Sequence, residues 1–383
     1  MFTFCPDCGK SIEASFKFCP YCGKPLSLAE HEGSQTFVRP RTSSFRGSRR
    51  QSNSSPEIPS KKVKWSSSVT SPSSSLGLDG DSSGSEDTVR SKAEALSTLA
   101  CKSSQKQTFS LKLDAKDGRL FNEQNFFQRA AKPLQVNKWK KLNATPLLAI
   151  PTCIGFGIHQ DRYRFLVFPM LGRSLQSVLD DNPKHVLSMK SVFQMACRLL
   201  DALQFLHENE YVHGNVTAKN IFVNPEDLSQ VTLAGYGFTF RYAPSGKHVA
   251  YVEGSRSPHE GDLEFMSLDL HKGCGPSRRS DLQTLGYCLL KWLYGILPWT
   301  DCLPNIEDIM KLKQKFLDNP ETLVGQCSRW ICPSETLQEY MKVVMTLGYD
   351  EKPPYNMLRS SLEDLLRDLR ASAYDPMDLQ MVP

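Results

Sequence analysis

Residues Tyr211–Phe238 read YVHGNVTAKNIFVNPEDLSQVTLAGYGF, and this stretch decides the fold. A long amphipathic pattern leads into it. Val192, Met195, Ala196, Leu199, Leu200, Leu203 and Leu206 recur at three-four spacing and predict a helix over Ser191–Glu210. His213-Gly214-Asn215 follows at once, Asn220 comes five residues after Asn215, and Ala234-Gly235-Tyr236-Gly237 closes the stretch.

The spacing is that of the protein-kinase catalytic and metal loops, H-R-D-L-x-x-x-N followed by D-F-G. His213-Gly214-Asn215 fills the first slot, Asn220 stands for the metal-binding Asn, and Gly235 stands for the Asp of D-F-G. Two carboxylates are gone. In a kinase the first Asp accepts the substrate hydroxyl proton and the second holds Mg²⁺ against the ATP phosphates. Asn215 matches Asp in shape but has no useful basicity. Gly235 has no side chain, and Mg²⁺ asks for oxygen ligands, usually one or two carboxylates plus phosphate. Thr217 replaces the Lys usual in serine/threonine kinases. Loss of a positioned base alone costs ~10²–10⁴ in rate.

The chain has 383 residues and a net charge of only +5, so no global basic field points to nucleic acid. No apolar run approaches the ~18 residues that span a bilayer, and no secretory signal opens the sequence. A soluble, intracellular protein is expected. Of twelve Cys, eight are scattered without pattern, as in a reducing compartment.

The other four form a repeat. Phe4-Cys5-Pro6-Asp7-Cys8-Gly9-Lys10 recurs as Phe18-Cys19-Pro20-Tyr21-Cys22-Gly23-Lys24. Each copy is a C-x₂-C knuckle with a glycine that permits the tight turn behind the thiolates. Cys5, Cys8, Cys19 and Cys22 suit a closed tetrahedral structural zinc site, and the metal would supply the folding energy that so short a segment lacks. A redox C-x₂-C and unpaired thiols are the competing readings. Residues 1–26 resemble the small zinc-ribbon modules, which bind protein or nucleic acid.

Residues 27–106 are rich in Ser, Pro, Gly and charge, and they read as a disordered linker. Arg49-Arg50 and, ten residues on, Lys61-Lys62-Val63-Lys64 have the spacing of a bipartite nuclear-import signal. A solvated basic linker is the bland alternative. Ser55-Pro56, Ser71-Pro72 and Ser83 are candidate phosphorylation sites that would add negative charge to the linker.

From residue 107 the composition turns globular. Thr108–Leu113 alternates like a half-buried strand and carries Lys112; Leu120–Ala131 has helical spacing and carries Glu123. A strand Lys and a helix Glu match the phosphate-clamping ion pair of kinases; two surface charges are the alternative. No G-x-G-x-x-G loop precedes Lys112, and there is room upstream for barely one strand. The small lobe is therefore expected to be incomplete, with an unpaired sheet edge. Strands are expected over Leu147–Gly157 and Tyr163–Phe168, and helices over Ser174–Asp181, Ser280–Leu293, Leu337–Leu347 and Met357–Leu369. Asp281 matches the kinase Asp that braces the catalytic-loop backbone, or serves its own helix dipole. The expected fold is α+β, a two-lobed protein-kinase-like domain over 107–373 with a tail over 374–383.

The segments FNEQNFFQRAAK (Phe121–Lys132), YVHGNVTAKN (Tyr211–Asn220), YGFTFRY (Tyr236–Tyr242) and SRRSDLQTLGYC (Ser277–Cys288) resemble the vaccinia-related kinase family, a branch near the casein-kinase-1 group. The zinc-ribbon start, basic linker and missing aspartates resemble a degenerate member of that family, with its Gly-loop region deleted. The resemblance implies a pseudokinase, a nuclear scaffold or regulator of signalling kinases or phosphatases. Lys112, Glu123 and Asn220 would then mark a vestigial nucleotide pocket with no ATP or Mg²⁺ expected. It implies a nuclear-import carrier as a partner, no nucleic acid, no membrane and a monomer. A weak or atypical serine/threonine kinase and a zinc-ribbon nucleic-acid adaptor are the alternatives.

Overall fold

The computed structural model describes residues 2–4, 11–13, 99–102, 108–329 and 332–380, the first three stretches as backbone only. Strands β1 (Phe2–Phe4) and β2 (Ser11–Glu13) pair antiparallel with Phe4 opposite Ser11, so Cys5 and Cys8 fall in the segment joining them. Cys5, Cys8, Cys19 and Cys22 lie outside the described residues, as do Arg49, Arg50, Lys61, Lys62 and Lys64.

The small lobe is a four-stranded antiparallel sheet in the order β3-β4-β6-β5. Its strands are β3 (Leu99–Lys102), β4 (Thr108–Ala115), β5 (Gly155–His159) and β6 (Tyr163–Pro169). Along β6, Arg164, Leu166 and Phe168 are buried while their neighbours are not, the period of two that a one-sided sheet requires. Among the described residues no strand lies beyond β3. Helix α1 (Arg119–Arg129) buries Leu120, Glu123, Phe126 and Phe127. It is followed by α2 (Pro133–Leu142), anchored by Trp139, whose indole N–H donates to Glu208 at 2.6 Å. The strand expected over Leu147–Gly157 forms only from Gly155. Pro151 has no N–H to give a ladder, and the carbonyl of Ala149 instead accepts from Leu233 N–H at 2.8 Å.

The large lobe is helical. Short β7 (Arg173–Ser174) precedes α3 (Leu175–Asp181) and the central α4 (Met189–Glu208). Ser188 caps α4 by accepting from Ser191 N–H, and Val192, Met195, Leu199, Leu203 and Leu206 are buried along it. After α4 come β8 (Tyr211–Val212), the hairpin β9 (Ile221–Asn224) and β10 (Asp227–Leu233), and β11 (Phe240–Arg241), which pairs with β8. Then follow α5 (Leu268–His271), α6 (Arg278–Tyr294), α7 (Ile306–Asp318), α8 (Glu321–Ser328), α9 (Glu335–Thr346) and α10 (Tyr355–Asp368). A Cβ on Gly286 of α6 would meet Met341 Sδ of α9 at 2.4 Å, so the close approach of the two helices depends on glycine there. The last described residues are packed. Arg198 donates to the carbonyls of Ala373 and Asp375, and Met377 and Leu379 are buried.

Candidate functional site

Three loops meet between the lobes. The first follows β8 and carries His213, Gly214 and Asn215. Asp281, in the first turn of α6, holds its backbone. Oδ2 accepts His213 N–H at 2.7 Å and Oδ1 accepts Gly214 N–H at 2.8 Å. His207 Nε2 donates to the same carboxylate at 2.9 Å, while its Nδ1 faces the Tyr355 hydroxyl at 2.6 Å. Burial pushes the pKa of His207 down, against the pull of Asp281. His213 is held as a neutral ring. Its Nε2–H donates to Ala234 O at 2.9 Å and Nδ1 accepts Asn215 N–H, with burial again lowering the pKa.

Asn215 and buried Thr217 line a cleft with Gly261, Asp262, Phe265 and Thr284. Lys219, two residues on, is exposed and lies 4.0 Å from Asp262.

The nucleotide side is built from the small lobe. Lys112 of β4 reaches Glu123 of α1 at 2.8 Å, with the carboxylate buried and the ammonium three-quarters shielded. Asn220 Nδ2 donates to Asn215 O at 2.9 Å, and its backbone carbonyl accepts from Ala234 N–H at 2.7 Å. Its Oδ1 points at Gly235. Gly235 has φ +82°, and a Cβ built there would lie 2.3 Å from that Oδ1. The position that bears the Asp of D-F-G in kinases is therefore filled from outside by the Asn220 side chain.

Tyr236 turns inward. Its ring stacks on Phe126 at 4.4 Å and meets Phe127 at 5.2 Å and His213 at 4.9 Å edge-on. Asn122 of α1 donates to the carbonyls of Gly237 and Thr239, at 3.0 and 2.5 Å. Helix α1 is thus tied to the loop after Gly235 by one aromatic stack and two hydrogen bonds, with the Lys112–Glu123 pair closed. The sequence pointed to Lys112, Glu123, Asn220 and Asp281. It did not point to Asn122 or the Phe126–Tyr236 stack, whose only signal was the Phe126-Phe127 pair three and four residues after Glu123.

A protein tyrosine and serine/threonine kinase family model matches residues 127–352, and a zinc-ribbon model matches residues 4–26. Serine/threonine-protein kinase VRK3 of Bos taurus is 67% identical over 449 aligned positions, covering 99% of this chain and 100% of that protein. The chain belongs to the vaccinia-related kinase family. VRK3 of Homo sapiens is 63% identical over 474 positions, covering 100% of both chains. Both alignments exceed the 383 residues present here, so these relatives carry residues with no counterpart in this chain. A solved structure of vaccinia related kinase 3 superposes with a TM-score of 0.69 at 80% identity, covering 72% of this chain and 85% of that one. The α+β kinase fold preceded by a zinc ribbon is thereby established for this vaccinia-related kinase family member.

Proposed function

We propose that this chain is a catalytically inactive kinase-like protein that acts as a nuclear scaffold or regulator of signalling kinases or phosphatases. The observation that carries the reading is the Gly235–Asn220 contact. No carboxylate stands at the metal position, and no side chain fits there while Asn220 keeps its place. The residues present do not fit Mg²⁺–nucleotide. One Asn oxygen remains of the metal ligands, and it is turned onto Gly235. Asn215 offers no base. The closed Lys112–Glu123 pair and the Phe126–Tyr236 stack favour a fixed kinase shape kept without turnover. Such a shape is a pre-organised binding surface.

The zinc-ribbon match supports structural zinc on Cys5, Cys8, Cys19 and Cys22. The Arg49, Arg50, Lys61, Lys62 and Lys64 clusters support carrier-dependent nuclear import. Neutralising the three lysines should move a tagged chain to the cytoplasm, and an unchanged nuclear signal would remove that assignment. The intact ion pair gives the second reading, a weak serine/threonine kinase, its one foothold. Radiolabelled ATP and casein separate the two. Incorporation at background supports the inactive scaffold, whereas incorporation abolished by Lys112→Ala contradicts it.

A further inference from the structure

Helix α2 (Pro133–Leu142) carries the two most exposed large apolar side chains among the described residues, Leu134 at 84% and Leu142 at 74%. Lys138 and Lys141 are exposed between them. Leu134, Lys138, Lys141 and Leu142 stand at i, i+4, i+7 and i+8, so they form one stripe along one face of the helix. The leucines stand ~12 Å apart along the axis. The opposite face is anchored. Trp139 is buried there, its indole N–H donates to Glu208 of α4 at 2.6 Å, and its ring meets Phe205 edge-on at 5.9 Å. Charge on α2 is one-sided. Between Glu123 and Asp161 the chain has no carboxylate, and its five cations, Arg129, Lys132, Lys138, Lys140 and Lys141, all fall on or beside α2. None of the four lysines is in an ion pair among the described residues. Glu208, which reaches α2 from α4, already accepts from Trp139 and Gln204. The helix dipole accounts for Lys140 and Lys141 in the last turn. It does not account for Lys138 in mid-helix, nor for Lys132 at the N-cap, where a cation is disfavoured and no acid follows in the first turn. Burial does not account for the leucines, which the fold leaves in water.

We propose that this stripe is the docking site for an acidic segment of a protein partner, one with apolar residues at both ends of a run of Asp or Glu. The apolar ends cover Leu134 and Leu142, and the carboxylates between them meet Lys138 and Lys141. Each covered leucine gains by leaving water, while the opposed charges steer the encounter and fix its register. Because α2 is pinned through Trp139, little ordering is needed on this side of the contact. A lipid surface fits the stripe less well. Lys138 and Lys141 lie between the leucines, so sinking both leucines into hydrocarbon would carry the ammonium groups toward it, at the cost of desolvating charge. The inference rests on the scaffold reading for its purpose, although binding here does not involve the nucleotide site.

The test uses the full chain and a short fluorescent peptide in which two leucines bracket a run of glutamates, with binding read by anisotropy. Saturable binding that weakens with salt is expected. Leu134→Ser with Leu142→Ser should raise Kd at least ~10-fold, and Lys138→Glu with Lys141→Glu should raise it by as much or more. A peptide with glutamine in place of glutamate should not compete. All four side chains are exposed, so each variant should keep the parent's thermal transition. If the charge-reversed chain does not fold, Lys138→Gln with Lys141→Gln decides. No saturable binding by the parent chain overturns the proposal. Equal binding by the leucine variant leaves only unspecific charge attraction and also overturns it. Vesicles of phosphatidylserine and phosphatidylcholine form the other arm. Vesicle binding that needs the same four residues, without peptide binding, assigns the stripe to a lipid surface and overturns the proposal. A chain that labels casein and still binds the peptide loses the inactive-scaffold reading and keeps this one.

Discussion

Asn220 occupies the space into which a side chain at Gly235 would project, with Oδ1 2.3 Å and Cγ 2.5 Å from the Cβ position. Restoring the missing carboxylate is therefore expected not to restore a metal site. Gly235→Asp places a side chain at φ +82° against Asn220 and should cost about 1–3 kcal/mol. A lowered urea midpoint with no Mg²⁺-dependent response is expected. A variant as stable as the parent that binds Mg²⁺–ATP would show that Asn220 moves aside freely.

Tyr236 gives a sharper stability test. Its hydroxyl is buried without a hydrogen-bond partner among the described residues, and burial holds its pKa well above the usual phenol value. Tyr236→Phe keeps the stack on Phe126 and removes the unsatisfied group, so it should be neutral or stabilising by about 1 kcal/mol. Tyr236→Ala deletes the ring and should cost roughly 3–5 kcal/mol. Chemical denaturation of both variants checks the pair. A clear loss in Tyr236→Phe would reveal a partner for the hydroxyl.

Acid should weaken the fold through buried histidines. Burial is the first cause of the lowered pKa of His207, His213 and His271, the last to about 3. At His271 the Lys313 ammonium, 3.0 Å from Nε2, adds to the shift, as does His259 beyond the ring. Unfolded, these rings take up protons near pH 6.5; folded, they do not. Stability is thus full above about pH 6.5 and falls as pH drops, by up to ~1.4 kcal/mol per pH unit for each ring. Urea midpoints at about pH 7.5 and about pH 5.5 should differ clearly in that direction. Equal midpoints would mean that none of the three rings is held neutral in the fold.

Zinc removal should act locally. Freshly purified chain should carry one zinc, and Cys8→Ser with Cys22→Ser should release it. The main thermal transition of the kinase-like domain should stay in place. Metal analysis without zinc would count against the four-thiolate site.

Much of the site was legible because kinase loops keep fixed spacings. Asn220 and Gly235 could be placed from their distance to His213 alone, and Lys112 and Glu123 from a strand followed by a helix. The helix over 189–208 was legible from its three-four apolar period. What was not legible depends on long-range packing. The Leu147–Gly157 segment is apolar enough for a strand, but Pro151 and the Ala149–Leu233 bond divert its first half. Helix α2 mixes Lys with few apolar residues, and only Trp139 of it is buried. The collision of Asn220 with the Gly235 position is a three-dimensional fact that no spacing predicts.

The central claim is that the nucleotide site is empty of function, and the most direct measurement is a thermal-shift titration with ATP, with and without Mg²⁺. A ligand at 100 times its Kd raises stability by ~2.7 kcal/mol, well within reach of the method. The account predicts no movement of the transition under either condition. A saturable rise that requires Mg²⁺, and that Lys112→Ala abolishes, would contradict it.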